Sequence, residues 1–143
     1  MKIKLLALCL ILVGTVNAQQ LHERVLSYYS VASNIYFMDD SYEQSLWSFY
    51  LPTTKLKRDS LIVSQYSYWN YQYNVKSKMD LFSISRLDFN KSKDTANVFV
   101  NQFWKLANNE QYIYQIKSEW IKWNGNWYIS DKLPINVSVK PNN

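Results

Sequence analysis

Six aromatic side chains are the best candidates for chemistry in this chain: Tyr28, Tyr66, Trp69, Trp104, Tyr112 and Trp120. Each joins a broad apolar surface to a polar handle or ring edge. That combination lines pockets for a small apolar or sugar-like ligand, and it also builds ordinary cores. Reactive groups are scarcer. His22 is the only histidine, and it sits at the edge of an expected helix. Asp39, Asp40 and Glu43 could hold a hard cation, which wants several oxygens. Helix capping and the favourable field at a helix N-terminus account for these acids more simply. Two glycines cannot build a phosphate loop or a nucleophile elbow. The residues therefore predict a non-catalytic binding module with an aromatic-lined pocket and no metal or cofactor. An assembly or protein-interaction domain using a sheet face is the alternative, with a small pocket enzyme behind both.

The start of the chain sets the expected setting of that chemistry. Met1-Lys2-Ile3-Lys4 is cationic, Leu5 to Val13 is unbroken apolar sequence, and Val16-Asn17-Ala18 ends on a small residue. This order predicts a secretory signal over residues 1–18, with a mature chain from Gln19 that is secreted or periplasmic. The apolar run is shorter than the ~20 residues that span a bilayer, so no membrane span is expected in the mature chain. An uncleaved anchor, or a lipid-modified Cys9, are the competing readings, and Leu8 is too large for the position before a modified cysteine.

Removing residues 1–18 takes away Cys9, the only cysteine, and Lys2 and Lys4, so the net charge falls by two from +5 to +3. A cysteine-free domain in an oxidising space has neither disulfides nor thiol chemistry. Its mild, scattered positive charge, with Lys55-Leu56-Lys57-Arg58 as the one cluster, argues against nucleic-acid binding, which concentrates basic residues on one face. All six Trp, twelve Tyr and six Phe lie beyond residue 18. Short modification-like triplets also occur: Asp59-Ser60-Leu61 and Asp94-Thr95-Ala96 for O-linked sugars, Asn90-Lys91-Ser92 and Asn136-Val137-Ser138 for N-linked ones. Such patterns arise often by chance.

The elements that must position these residues follow from periodicity. Leu21, Val25, Tyr28, Tyr29 and Ala32 fall on one side of a helix reaching about Asn34. Asp39-Asp40-Ser41 starts a second helix whose apolar face is Leu46, Phe49 and Tyr50 and which Pro52 stops. Asp59 or Ser60 caps a third, carrying Ile62, Tyr66, Trp69 and Tyr73, with a strand as its competitor. From Leu81 the chain alternates. Ala96, Val98, Val100, Trp104 and Leu106 share one face of a strand, and Tyr112, Tyr114, Ile116 and Trp120 line another. Asn124-Gly125 between apolar runs predicts a tight hairpin. Residues 134–143 read as a loosely held tail. The expectation is one α+β domain over residues 19–133, with N-terminal helices packed on a curved antiparallel sheet.

Two segments carry a family likeness. Leu26-Ser27-Tyr28-Tyr29-Ser30-Val31-Ala32, followed by Asp39-Asp40-Ser41-Tyr42 and Leu46-Trp47-Ser48-Phe49-Tyr50, resembles the opening helix pair of the nuclear transport factor 2-like superfamily. Trp120 to Ile129, turning at Asn124-Gly125, is similar to its closing hairpin. The resemblance implies a cystatin-like cone in a secreted bacterial member, with a pocket between helices and sheet, and in many members dimers through the outer sheet face. Its isomerase-like members need an aspartate base and an oxyanion-holding tyrosine. Tyr28 or Tyr29 could supply the tyrosine. The stretch after the second helix, Leu51 to Leu56, has no acid, and Asp59 comes late.

Overall fold

A computed structural model describes residues 2–33, 40–52 and 76–142. The expected third helix, with Tyr66, Trp69, Asp59 and Ser60, lies outside the described residues, as do Asp39 and the Lys55–Arg58 cluster.

Helix α1 (Lys2–Ala32) runs 31 residues without a break, through the expected Ala18-Gln19 junction. Its C-terminal half has the predicted stripe: Leu21, Val25, Tyr28, Tyr29 and Ala32 are all buried. Helix α2 (Asp40–Trp47) is only eight residues long. The chain then leaves the helix two residues before Phe49 and five before Pro52. Phe49 and Tyr50 are still buried, but through an irregular route. The Phe49 and Tyr50 amides donate to Leu46 and Trp47 carbonyls, and Tyr50 forms a parallel bridge to Ile129. The residue before a proline is pushed toward extended backbone, which fits Leu51, whose amide donates to the Ile129 carbonyl at 3.1 Å.

The rest is antiparallel sheet: β1 (Lys78–Phe89), β2 (Thr95–Lys105), β3 (Gln111–Trp123), β4 (Asn126–Ile129) and β5 (Ile135–Pro141). The order is β1-β2-β3-β4, with β5 paired to the first half of β3 on the side where β4 pairs its second half. Turn chemistry explains the connections. The Asn90 side-chain oxygen accepts from the Asp94 and Thr95 amides at 3.1 and 3.2 Å, closing the β1–β2 turn. Asn124 and Gly125 have φ of 48° and 82°, the pair of positive values a type I′ hairpin needs.

Two expectations are corrected. The fold is a sheet-dominated one, not an α+β cone with packed helices. Five antiparallel strands form the body, and among the described residues the helical part is one long helix and one two-turn helix. The α+β reading gave each helical stripe the weight of a packing layer. In the structure the apolar alternation of β2 and β3, 11 and 13 residues long, dominates. The second correction is the tail: residues 135–141 form β5 and pair with β3 from Tyr112 to Lys117. One strand of mixed alternation also finds its cause. β1 shifts register between Met79 and Leu81 and between Ile84 and Arg86, and each bulge changes the phase of the side chains.

The inner face of the sheet meets α1. Ala96, Val98, Val100, Trp104, Trp120, Trp127 and Ile129 join the helical stripe in one core. The other face of the sheet carries Asn97, Phe99, Asn101 and Phe103 of β2 with their cross-strand partners.

Candidate functional site

Three of the six predicted site residues lie together in the core. The Tyr28 ring stands edge-on to Tyr29, Phe49 and Trp120, with centroids 5.1, 5.5 and 6.1 Å apart. Trp120 is fully buried, and its indole N–H donates to Ser118 Oγ at 3.0 Å. Trp104 donates from Nε1 to Gln102 Oε1 at 2.9 Å, and the Gln102 amide donates in turn to the Tyr29 hydroxyl at 3.4 Å. These polar handles are satisfied by neighbours inside the core, as buried indole and amide groups require. Gln102 is a polar residue on the apolar side of β2, and the sequence pattern did not mark it.

Tyr112 stands directly across from Trp104, near the start of β3. It borders a shallow depression of about 460 Å³ with Glu110, Gln111 and Pro141. Its hydroxyl donates to Glu110 Oε2 at 3.2 Å, and that hydrogen bond and charge raise the phenol above its ordinary pKa. Tyr66 and Trp69 are outside the described residues. His22 is exposed. Among the described residues no group of three or more His, Cys, Asp or Glu could hold a metal ion. The side chains of Asp40 and Glu43 are outside the described set.

The structure also presents two surfaces; the sequence offers a sheet face as its alternative but not the residues on it, and it does not mark the second surface. The first is the outer sheet face, where strand register stacks side chains in cross-strand rows. One row is basic, with Arg86, Phe99 and Lys117; the Arg86 guanidinium lies 3.9 Å above the Phe99 ring. The adjacent row is acidic, with Asp88, Asn97 and Glu119. Arg86 and Asp88 pair at 2.9 Å, and Glu119 accepts from Lys132 at 2.7 Å. At one end of the face Leu81, Phe103 and Ile113 form an apolar row; at the other end stands Trp123 against Tyr128. Leu81 is 59 % exposed and Trp123 40 %.

The second surface is an open cleft of about 260 Å³ on the helix side, between α1 and the β3–β4 turn. Arg24 forms one wall. Its Nε donates to the Trp127 carbonyl at 3.3 Å, Nη2 donates to the Ser48 carbonyl, and the guanidinium lies 4.1 Å above the Phe49 ring. Burial lowers the pKa of this guanidinium. Next to the cleft, Lys122 donates from Nζ to Asn17 Oδ1 and, at 3.4 Å, to Gln20 Oε1.

No family model matches the chain, and no curated protein matches it. Among solved structures it is similar to a de novo β-sheet design protein determined by solution NMR, at 12% identity and a TM-score of 0.41, over 90% of each chain. No helix among the described residues is long and apolar enough to cross a membrane.

Proposed function

We propose that this chain is an exported, non-catalytic interaction domain that pairs with a second copy of itself through the outer sheet face. The observation that carries this reading is the symmetry of that face about the row of Val98 and Ser118. On one side of the row lie Arg86 and Lys117, and on the other lie Asp88 and Glu119. Phe103 is five residues beyond Val98 and Trp123 five residues beyond Ser118, at opposite ends because β2 and β3 are antiparallel. A two-fold axis along this row lays each basic row on the partner's acidic row. It also lays each Leu81–Phe103–Ile113 row on the partner's Trp123. Two copies of one surface meet in this way in every closed dimer.

The size of the face is adequate. Four strands spaced about 4.8 Å apart and ten residues of rise give about 600 Å² per copy, the lower end for a specific interface. Facing sheets align at about −30°, as their twist dictates. A dimer of micromolar affinity is the expected strength for an interface of this size with charged rows.

Sedimentation equilibrium of the full chain tests it. The wild type is expected at twice the monomer mass at high micromolar concentration. Arg86→Glu with Lys117→Glu, and separately Asp88→Lys with Glu119→Lys, are each expected to give monomers through like-charge repulsion. Mixing the two variants is expected to restore a dimer. A monomeric wild type, or variants that dimerise as well as the wild type, overturns the proposal.

A further inference from the structure

The depression beside Tyr112 is built from a tight turn and the end of a strand pair. The turn joins β2 to β3. The Leu106 amide donates to the Glu110 carbonyl at 2.8 Å, the Asn109 amide donates to the Leu106 carbonyl at 3.0 Å, and the Glu110 amide donates to Asn108 Oδ1 at 3.1 Å. Asn109 has φ of 68°, a left-handed backbone that Asn accepts more readily than most side chains. Beside the turn, the end of β5 is tied to the start of β3. Asn142 donates from its backbone amide to the Gln111 carbonyl at 2.9 Å and from Nδ2 to Gln111 Oε1 at 3.0 Å. Tyr112 and Pro141 are cross-strand partners. Asn109, Glu110, Gln111, Tyr112, Pro141 and Asn142 line a space of about 460 Å³, inside the range of roughly 300–1,000 Å³ for ligand sites.

These bonds order the lining in advance. The Tyr112 hydroxyl is held on Glu110 Oε2 at 3.2 Å, and the Gln111 and Asn142 side chains hold each other. Each bond uses one half of a two-sided group. Glu110 keeps Oε1 as an acceptor, Gln111 keeps Nε2 as a donor, Asn142 keeps Oδ1 as an acceptor, and Asn109 keeps a whole amide. Donors and acceptors are therefore mixed on one rim, beside the apolar surfaces of Tyr112 and Pro141.

Such a lining selects by hydrogen-bond type. A hydroxyl both donates and accepts, and neighbouring hydroxyls offer both functions to carboxylate oxygens and amides together. The C–H faces of a sugar ring match the Tyr112 ring and Pro141. A purely apolar ligand would displace water and leave these polar groups without partners. The Glu110 carboxylate repels an anion. We infer that this depression binds a neutral sugar, one pyranose unit of a glycan, with its ring on Tyr112 and Pro141 and its hydroxyls on Asn109, Glu110, Gln111 and Asn142. The turn lies beyond the Leu81–Phe103–Ile113 row, and Tyr112 is on the inner face. The site is therefore independent of pairing through the outer face.

The test is an NMR titration of the full chain with the methyl glycosides of D-glucose, D-galactose, D-mannose and N-acetyl-D-glucosamine, and with propylammonium as a cation control. At least one glycoside is expected to shift the Asn109, Glu110, Gln111 and Tyr112 amides with a Kd on the order of 10 mM, the strength of a ligand of about a dozen atoms in a shallow site. Propylammonium, which can pair only with an exposed carboxylate, is expected to bind at least about tenfold more weakly. Tyr112→Ala removes the ring and is expected to weaken the glycoside by about tenfold. Asn109→Gly removes one amide while keeping the backbone angle unstrained. It is expected to weaken the glycoside by about fivefold, the worth of one hydrogen bond, with the rest of the spectrum preserved. No shift with any of the glycosides, propylammonium binding as tightly as the best of them, or an unchanged Kd in either variant overturns the inference.

Discussion

Replacing Gly125 by alanine isolates the worth of one backbone angle. Gly125 holds φ at +82°, and a Cβ built there meets nothing within 4 Å. Steric clash is therefore no part of the cost. What remains is the left-handed backbone, about 1–2 kcal/mol for a residue with a Cβ. Alanine also stiffens the unfolded chain, which offsets roughly 0.5 kcal/mol of that loss. The net expectation is about 1 kcal/mol of destabilisation. In urea this lowers the midpoint by about 0.5 M at an unchanged slope, and in a thermal scan it lowers Tm by about 4 °C. Asn124→Gly serves as control, because φ there is 48° and glycine accepts it; little change is expected. A Gly125→Ala protein as stable as the wild type would show that the turn does not hold positive φ. A loss above about 3 kcal/mol would mean that strand pairing beyond the turn depends on it.

Two further outcomes follow from the core and the first turn. Trp120→Phe removes the indole N–H from Ser118 and part of the ring that packs on Tyr28; about 2–3 kcal/mol is expected to be lost in chemical denaturation, and a loss below 1 kcal/mol would contradict its place in the core. The Asp94 carboxyl is held below its ordinary pKa by hydrogen bonds, first from Asn90 and then from Ser92. Its stabilising contribution is therefore present above the unfolded pKa and is lost as pH falls through the folded one. Side-chain NMR is expected to show that midpoint rising toward the ordinary value in Asn90→Ala, and an unmoved midpoint refutes the assignment.

What was legible in the sequence was local. The Asn124-Gly125 hairpin, the α1 stripe from Leu21 to Ala32 and the inward row of β2 each need only a few neighbouring residues to be recognised. Non-local pairing was not legible. The alternation of Ile135, Val137 and Val139 was present, but Pro134, Pro141 and the polar end pointed to a tail, and only β3 across the sheet makes it a strand. The weight given to helices failed for a related reason. An amphipathic stripe shows that a helix has one buried side; it does not show how much sheet lies beneath it. A sheet face was among the expectations, but the rows on it were invisible for the same cause. Arg86 and Lys117 are 31 positions apart in sequence, and only the register sets them in one row. Arg24 had no motif around it, since its partners are backbone carbonyls from two distant segments. The burial of Tyr28, Trp104 and Trp120 was foreseeable as an ordinary core, and composition could not distinguish that from a pocket lining.

The contacts of Lys122 bear on the timing of any processing. Its ammonium bonds Asn17 and Gln20, one on each side of the Ala18-Gln19 peptide, and that peptide is wound inside α1. A protease threads its substrate as an extended strand, so this helical, tethered bond is closed to one. Any removal of residues 1–18 would then have to come before α1 docks on the sheet, while the chain is still unfolded. Folding would compete with such a cut, and the faster of the two would decide the outcome.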